Sequence, residues 1–461
     1  MQTITQVTTG SRPQQGLQRV LGLRDLVLLI VGTVIGSGIF LVPGAVLRAV
    51  GNSIPRALLV WIIGGVLSLL GALTYGELCA MKPEVGGLYV YIRDCFGRFP
   101  AFLFGWTLLF VVSTGSVATL AVAFSNYLGE LIDLKPWIAK AVSFLVIAVI
   151  AAINVRGTRQ SADVQNITTA IKVGAILAMA GGLLWFGKGF ERHEFASGPV
   201  PAVGSIWSGL GTAMVSVLWA YEGWQYCTFT AGETTNARRN FPLAFVAGIG
   251  ILIGTYILAN LGYVAVLGAE GVANSTRVAA TALGTLSPGL AKLVTIAILI
   301  SIFSAANSII LTAPRVYYAM AKDGIFFRAL AEVHPRFGTP AFAILTGAAW
   351  ASLLAITGTF EQLLTYVVFV GWAFYALAAA CVFVYPKRET TAHQRYRTPG
   401  YPWTPLCFIA TIVVFVANTI AQQPLRAAVG MAIVLTGVPV FLIWRKRPKS
   451  VKELGNLHAA P

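Results

Sequence analysis

Apolar residues along this chain neither alternate with polar ones nor recur singly at helical spacing. They come in unbroken runs of about 17 to 28 residues, the length a helix needs to cross a hydrocarbon layer of about 30 Å. Such runs lie near residues 26–49, 57–80, 100–128, 137–153, 165–187, 205–231, 243–268, 287–320, 340–356, 361–384, 403–421 and 427–444. They predict twelve membrane-spanning helices. Two-residue alternation, the mark of an outer-membrane strand, is missing, so the expected fold class is an all-α polytopic membrane protein. The connections are short, so function is expected in or beside the membrane.

Two of the runs contain breaks. The first holds GTVIGSGIF, Gly32 to Phe40, with three glycines in seven residues, each costing about 1 kcal/mol of helix propensity relative to Ala. The sixth holds SVLWAYEGWQYCTFTAGE, Ser216 to Glu233, with Glu222-Gly223 deep in apolar sequence. Interruptions five spans apart predict an inverted five-plus-five repeat whose halves meet at a midplane binding site. The expected division is a cytoplasmic tail over 1–25, a first repeat over 26–200 (spans 1 to 5), a second over 201–390 (spans 6 to 10), two accessory spans over 391–445 and a cytoplasmic tail over 446–461. The halves share no evident residue-level similarity, so the repeat rests on position and interruption.

Backbone groups freed at membrane depth need protein, water or ligand as partners. A half-helix beginning after Gly38 offers N–H groups and the positive end of its dipole to an anion. The half-helix ending before Gly36 offers carbonyls to a cation. Together they describe a zwitterion, against the plainer reading of Gly32-xxx-Gly36 as a packing face on a continuous helix. Glu222 is the only charged residue between Glu194 and Glu233. A charge near the bilayer centre costs upward of ~2.5 kcal/mol, so it is expected to face protein or water, as a packed carboxyl, a substrate contact or a proton carrier. Of the aromatics around it, Trp219, Tyr221 and Trp224, Trp219 is the candidate lid. Lys172, about nine residues into span 5, either snorkels to the surface or bonds the carbonyls freed in span 1.

Composition agrees with the pattern: 57% of the 461 residues are hydrophobic, 11% are charged and mean hydropathy is +0.76. The net charge of +16 comes without a basic patch interleaved with aromatics, which argues against nucleic acid. Most Lys and Arg instead fall on the side shared by both termini, which the positive-inside rule places in the cytoplasm. No cleavable signal is expected, since the first run is too long for one. The cysteines, Cys79, Cys95, Cys227, Cys381 and Cys407, form no CxxC, and the histidines, His193, His334, His393 and His458, are isolated from one another. Neither a metal site nor a catalytic constellation is expected, no cofactor is implied, and the chain is not read as an enzyme. GLLWFGKG, Gly182 to Gly189, approaches a phosphate-binding loop, but Gly189 stands where a magnesium-holding Ser or Thr is required.

The stretches GTVIGSGIF, LTYGELCAMKPEVGGLYVYI (Leu73 to Ile92), WAYEGWQY, GETTNARRNFPLA, RVYYAMAKDG (Arg315 to Gly324) and AIVLTGVPVFL (Ala432 to Leu442) resemble the amino acid, polyamine and organocation transporter superfamily, and within it the L-type branch. The resemblance implies alternating access around an amino acid. It puts the substrate carboxylate on backbone N–H groups of Gly36, Ser37 and Gly38. It puts the amine on carbonyls around Val34 and Ile35 and, in span 6, around Trp219, Ala220 and Glu222, with Trp219 as the gating aromatic. Lys172 matches a lysine that stands where sodium-coupled relatives bind an ion, which implies sodium independence. The outer loop LGELIDLKPWIAK lacks the cysteine that animal members use for a glycoprotein partner, so no disulfide-linked heavy subunit is expected. That absence leans toward a prokaryotic plasma membrane. The function so implied is exchange of neutral L-amino acids, with cationic ones left open by Glu222. A proton-coupled importer is the nearest alternative and a non-transporting amino-acid sensor a remote one.

Overall fold

The computed structural model describes residues 16–187, 203–358, 360–385, 396–422 and 424–445. Domain boundaries at 200/201 and 390/391, most of the amino-terminal tail, the tail from 446 and three of the four histidines lie outside them. Among the described residues all regular structure is helical, apart from one parallel backbone bridge between Leu21 and Thr234.

The first span is two helices, α1 (Leu23–Val34) and α2 (Gly38–Ala49), bent by 52° at Ile35 to Ser37. There follow α3 (Ile54–Met81), a short α4 (Leu88–Phe96) and a third span made of α5 (Arg98–Thr107), a π-turn over Leu108–Val112 and α6 (Ser113–Gly129). Ser113 and Thr114 donate to the carbonyls of Leu108 and Leu109, five residues back, and so satisfy the widened turn. α7 (Pro136–Arg156) and α8 (Thr158–Phe186) complete the first half.

The sixth span begins as α9 (Val203–Ala220) and, past Gly223 at φ +122°, continues as a 3₁₀ helix over Trp224–Glu233. Next come α10 (Ala237–Asn274), α11 (Val278–Gly284), α12 (Pro288–Thr312) and α13 (Pro314–Lys322). Last are α14 (Ala341–Thr357), α15 (Phe360–Val384), α16 (Trp403–Gln422), α17 (Pro424–Leu435) and α18 (Gly437–Arg445). Each expected run has a helical counterpart. Among the described residues eight helices are long and apolar enough to cross a membrane and the bent pair adds one, while Ala341–Thr357 and Gly371–Val384 are shorter apolar helices. Between the expected runs, 269–286 is partly helical: α10 kinks at Gly268 (φ +68°), where the expected run ends, and its last turns and α11 lie beyond.

Burial sorts the helices. In its most apolar window α7 is 28% buried and α8 33%, whereas the window within Gly289–Lys322 is 72% buried, so α12 and α13 run through the centre and α7 and α8 face lipid on one side. With hydrocarbon outside, packing and internal hydrogen bonds hold the bundle rather than exclusion of water. α1 lies against α8, α10 and α12. The approach to α8 requires glycine, since a Cβ at Gly32 would overlap the side chains of Gln165 and Thr169.

Candidate functional site

A cavity of about 150 Å³ lies where the two breaks face each other, some ten times the room a single water needs. Thr33, Val34, Gly36, Ser37 and Gly38 line it from the first span, Trp219, Ala220, Glu222, Gly223 and Tyr226 from the sixth. Val112, Ser116, Thr119, Leu120 and Ala123 come from the third, and Ala305 and Ile309 from α12. The π-turn delivers Val112, and it widens the helix where the cavity needs a wall. Of the residues expected from sequence to bind substrate, gate the site or support it, Ile35 and Lys172 do not line this space.

Those two form the scaffold behind it. Lys172 is 1% exposed, which excludes snorkelling, and its ammonium donates to the carbonyls of Gly32 (2.6 Å) and Ile35 (2.7 Å). Ser301 donates to the carbonyls of Ile35 and Gly36, both at 3.1 Å. Tyr256, on α10, places its hydroxyl 2.9 Å from the carbonyl of Ala220 and 3.4 Å from that of Val34, and so spans both breaks. Ser301 and Tyr256 were missed in the sequence because a hydroxyl in an apolar helix carries no mark of the distant carbonyl it serves.

The freed groups divide by charge. Ser37 is the N-cap of α2, and among the described residues the N–H groups of Ser37, Gly38 and Ile39 have no backbone partner, while Gly36 and Ser37 are partly accessible. Val34 accepts the Gly36 N–H at 2.9 Å and Trp219 accepts that of Glu222 at 3.2 Å, whereas the Thr33 carbonyl accepts no hydrogen bond among the described residues. Donors without acceptors thus stand on one side of the break and an acceptor without a donor on the other. Glycine serves differently at the two ends of the motif: a Cβ at Gly36 would meet open space, whereas one at Gly38 would press on Ala220 at 3.2 Å. The room at Gly38 therefore belongs to the packing of α2 on α9 as well as to any ligand.

Trp219 stands at the rim, 48% exposed, while Trp224 and Tyr226 are buried. The second break is fixed by Gln225, whose Oε1 accepts the Gly223 N–H at 3.1 Å. Glu222 takes the Tyr375 hydroxyl at 3.5 Å, the outer limit of a hydrogen bond.

Beyond the cavity one end of the bundle is shut. Ten residues of 3₁₀ helix, about 20 Å at 2 Å per residue, lead to Glu233, which pairs with Arg315 (Nε to Oε1 2.6 Å), both side chains being essentially inaccessible. Thr158 donates to Glu233 Oε2 at 2.8 Å and accepts from Arg315 Nη2 at 2.8 Å. The N–H groups of Val20 and Leu21 donate to the Glu233 carbonyl, and that of Thr235 to the Leu21 carbonyl. Arg159 grips Asp25 at 2.8 and 2.9 Å and ties the start of α1 to α8. Between seal and cavity a buried polar ladder joins α7, α8 and α12. Ser161 donates to Asn154, Asn154 to Asn307, Asn307 to Gln165, and Gln165 to Ser304 and Thr169.

Comparison with known proteins gives a consistent picture. Residues 21–443 match the amino acid permease family. The chain is 32% identical over 443 residues to the serine/threonine exchanger of Bacillus subtilis, covering 94% of this chain and 99% of the relative. It is 30% identical over 453 residues to the human cystine/glutamate transporter (95% and 89%) and 33% identical over 374 residues to the human b(0,+)-type amino acid transporter 1 (78% and 74%).

Proposed function

The chain belongs to the amino acid permease family, and from that premise we propose that it is a sodium-independent exchanger of L-amino acids working by alternating access. One observation carries the reading. The cavity between the two breaks is lined by residues carrying unpaired donors (Ser37 and Gly38 N–H) and an unpaired acceptor (the Thr33 carbonyl), the complement of a carboxylate and an ammonium on neighbouring atoms. The α-carboxylate lies on the amino end of α2 at the Ser37 and Gly38 N–H groups, while Gly36, whose N–H is held by the Val34 carbonyl at 2.9 Å, leaves open space beside them. The ammonium lies on the carbonyl side of the first break at Thr33 and Val34, and is shared with the turn over Trp219, Ala220 and Glu222, whereas the Ile35 carbonyl is taken by Lys172 and Ser301. Trp219 gates the rim.

The Lys172 ammonium supports sodium independence, because it already supplies a positive charge to the carbonyls of Gly32 and Ile35. Proton coupling is the nearest alternative. The ladder on α8 counts against a proton route there, since its links run through the carboxamides of Asn154, Gln165 and Asn307, which donate and accept but do not ionise. We place the sealed end and both termini in the cytoplasm, the chain in a prokaryotic inner membrane, and its activity without a disulfide-linked subunit, as the loop 128–140 holds no cysteine.

The test is uptake of labelled amino acids into proteoliposomes, loaded or not with unlabelled amino acid, with choline replacing sodium. Uptake stimulated by internal amino acid and unchanged by choline is expected. No uptake of any amino acid in any condition would overturn the proposal, and uptake that follows an imposed pH gradient would favour the proton-coupled alternative.

A further inference from the structure

Two kinds of chemistry line the cavity. At the break of the first span the backbone offers donors for one carboxylate. Away from it Glu222, Ser116 and Thr119 offer acceptors, and the only side-chain donors beside them are neutral, the phenol of Tyr226 and the indole of Trp219, among the described residues. The Ser116 hydroxyl spends its hydrogen on the Val112 carbonyl (2.7 Å) and that of Thr119 on the Gly115 carbonyl (2.9 Å), so only their lone pairs remain for a ligand. Glu222 lines the same space, and Tyr375, its hydroxyl 3.5 Å away, occupies one of about four lone-pair sites. Among the described residues no lysine or arginine lines the cavity. The buried Lys172 is turned to the carbonyls of Gly32 and Ile35.

We propose that the region bounded by Glu222, Ser116 and Thr119 is the side-chain subsite, and that it selects amino acids whose side chains carry hydrogen-bond donors while refusing those that carry a second carboxylate. This deepens the reading of the chain as an amino-acid exchanger and rests on it. A substrate hydroxyl, carboxamide or ammonium finds acceptors in this region. A second carboxylate meets Glu222 with no cation to offset it. In its ionised form Glu222 repels a second carboxylate about 5 Å away, at an effective dielectric of about 20, by an amount equal to a hundredfold or more in affinity. The inference separates this chain from its human relative named for cystine and glutamate, which it resembles at 30% identity.

Glutamine and glutamate have nearly the same shape and differ in charge, so they isolate the effect. Purified protein in proteoliposomes is assayed with labelled serine, leucine and glutamine, and unlabelled glutamine and glutamate compete against whichever label enters. The wild type is expected to prefer glutamine by at least thirtyfold in half-inhibitory concentration, and Glu222→Gln to shrink that ratio at least tenfold. Equal competition by the two in the wild type would overturn the inference even if the variant failed to insert, as would an unchanged ratio in a well-folded Glu222→Gln. Entry of none of the labels would refute the transport reading itself, a different outcome from transport without discrimination.

Discussion

Replacing Lys172 by Met keeps most of the side chain's length and removes its charge. The ammonium makes two bonds, to the carbonyls of Gly32 and Ile35, and hydrogen bonds to charged groups contribute about 1.5–3 kcal/mol each. Ser301 still holds the Ile35 carbonyl, so the bond to Gly32 is lost outright and the other only in part. A loss of about 2–4 kcal/mol in the preference for the broken geometry follows. A substrate that needs that geometry then binds about 30- to 1000-fold more weakly, since each 1.4 kcal/mol is tenfold. Concentration dependence of uptake in proteoliposomes reads the change, and a melting curve of the purified variant separates it from failure to fold. A well-folded Lys172→Met with wild-type half-saturation would refute the assignment of this ammonium to the support of the site.

Three further outcomes are expected. Tyr256→Phe removes the hydroxyl shared by Ala220 and Val34; a neutral hydrogen bond of about 1 kcal/mol corresponds to roughly fivefold in half-saturation, with maximal velocity and melting temperature nearly unchanged. Gly36→Val projects a side chain into open space, so it should insert and melt like the wild type yet fail to bind substrate, whereas Gly38→Leu should lower the melting temperature as well because it presses on Ala220. Glu233→Ala leaves Arg315 buried without its counter-charge, which costs about 3–5 kcal/mol and should appear as a large drop in melting temperature; a drop no greater than that of a surface substitution would remove the pair from the seal.

What the sequence discloses follows from the range of each interaction. A long apolar run and a glycine cluster are local, so the spans and both breaks can be read from neighbouring residues. Trp219 and Glu222 are marked by their own chemistry. Lys172 is ambiguous in sequence because its purpose depends on carbonyls 137 and 140 residues away. The same distance hides Tyr256, Ser301 and the role of Thr33, whose carbonyl matters only through what fails to bond it. The Glu233–Arg315 seal joins positions 82 residues apart, and each alone reads as an ordinary charge at the end of a helix.

The main-chain bridge between Leu21 and Thr234 bears on how tightly the cycle is geared. Opening that end means parting the Val20, Leu21 and Thr235 amides from their acceptors and uncovering an ion pair hidden from solvent. A small displacement would forfeit these contacts without gaining water in their place, so half-open shapes are penalised and the passage snaps between shut and wide. A transporter built in this way is expected to move its cargo in discrete strokes.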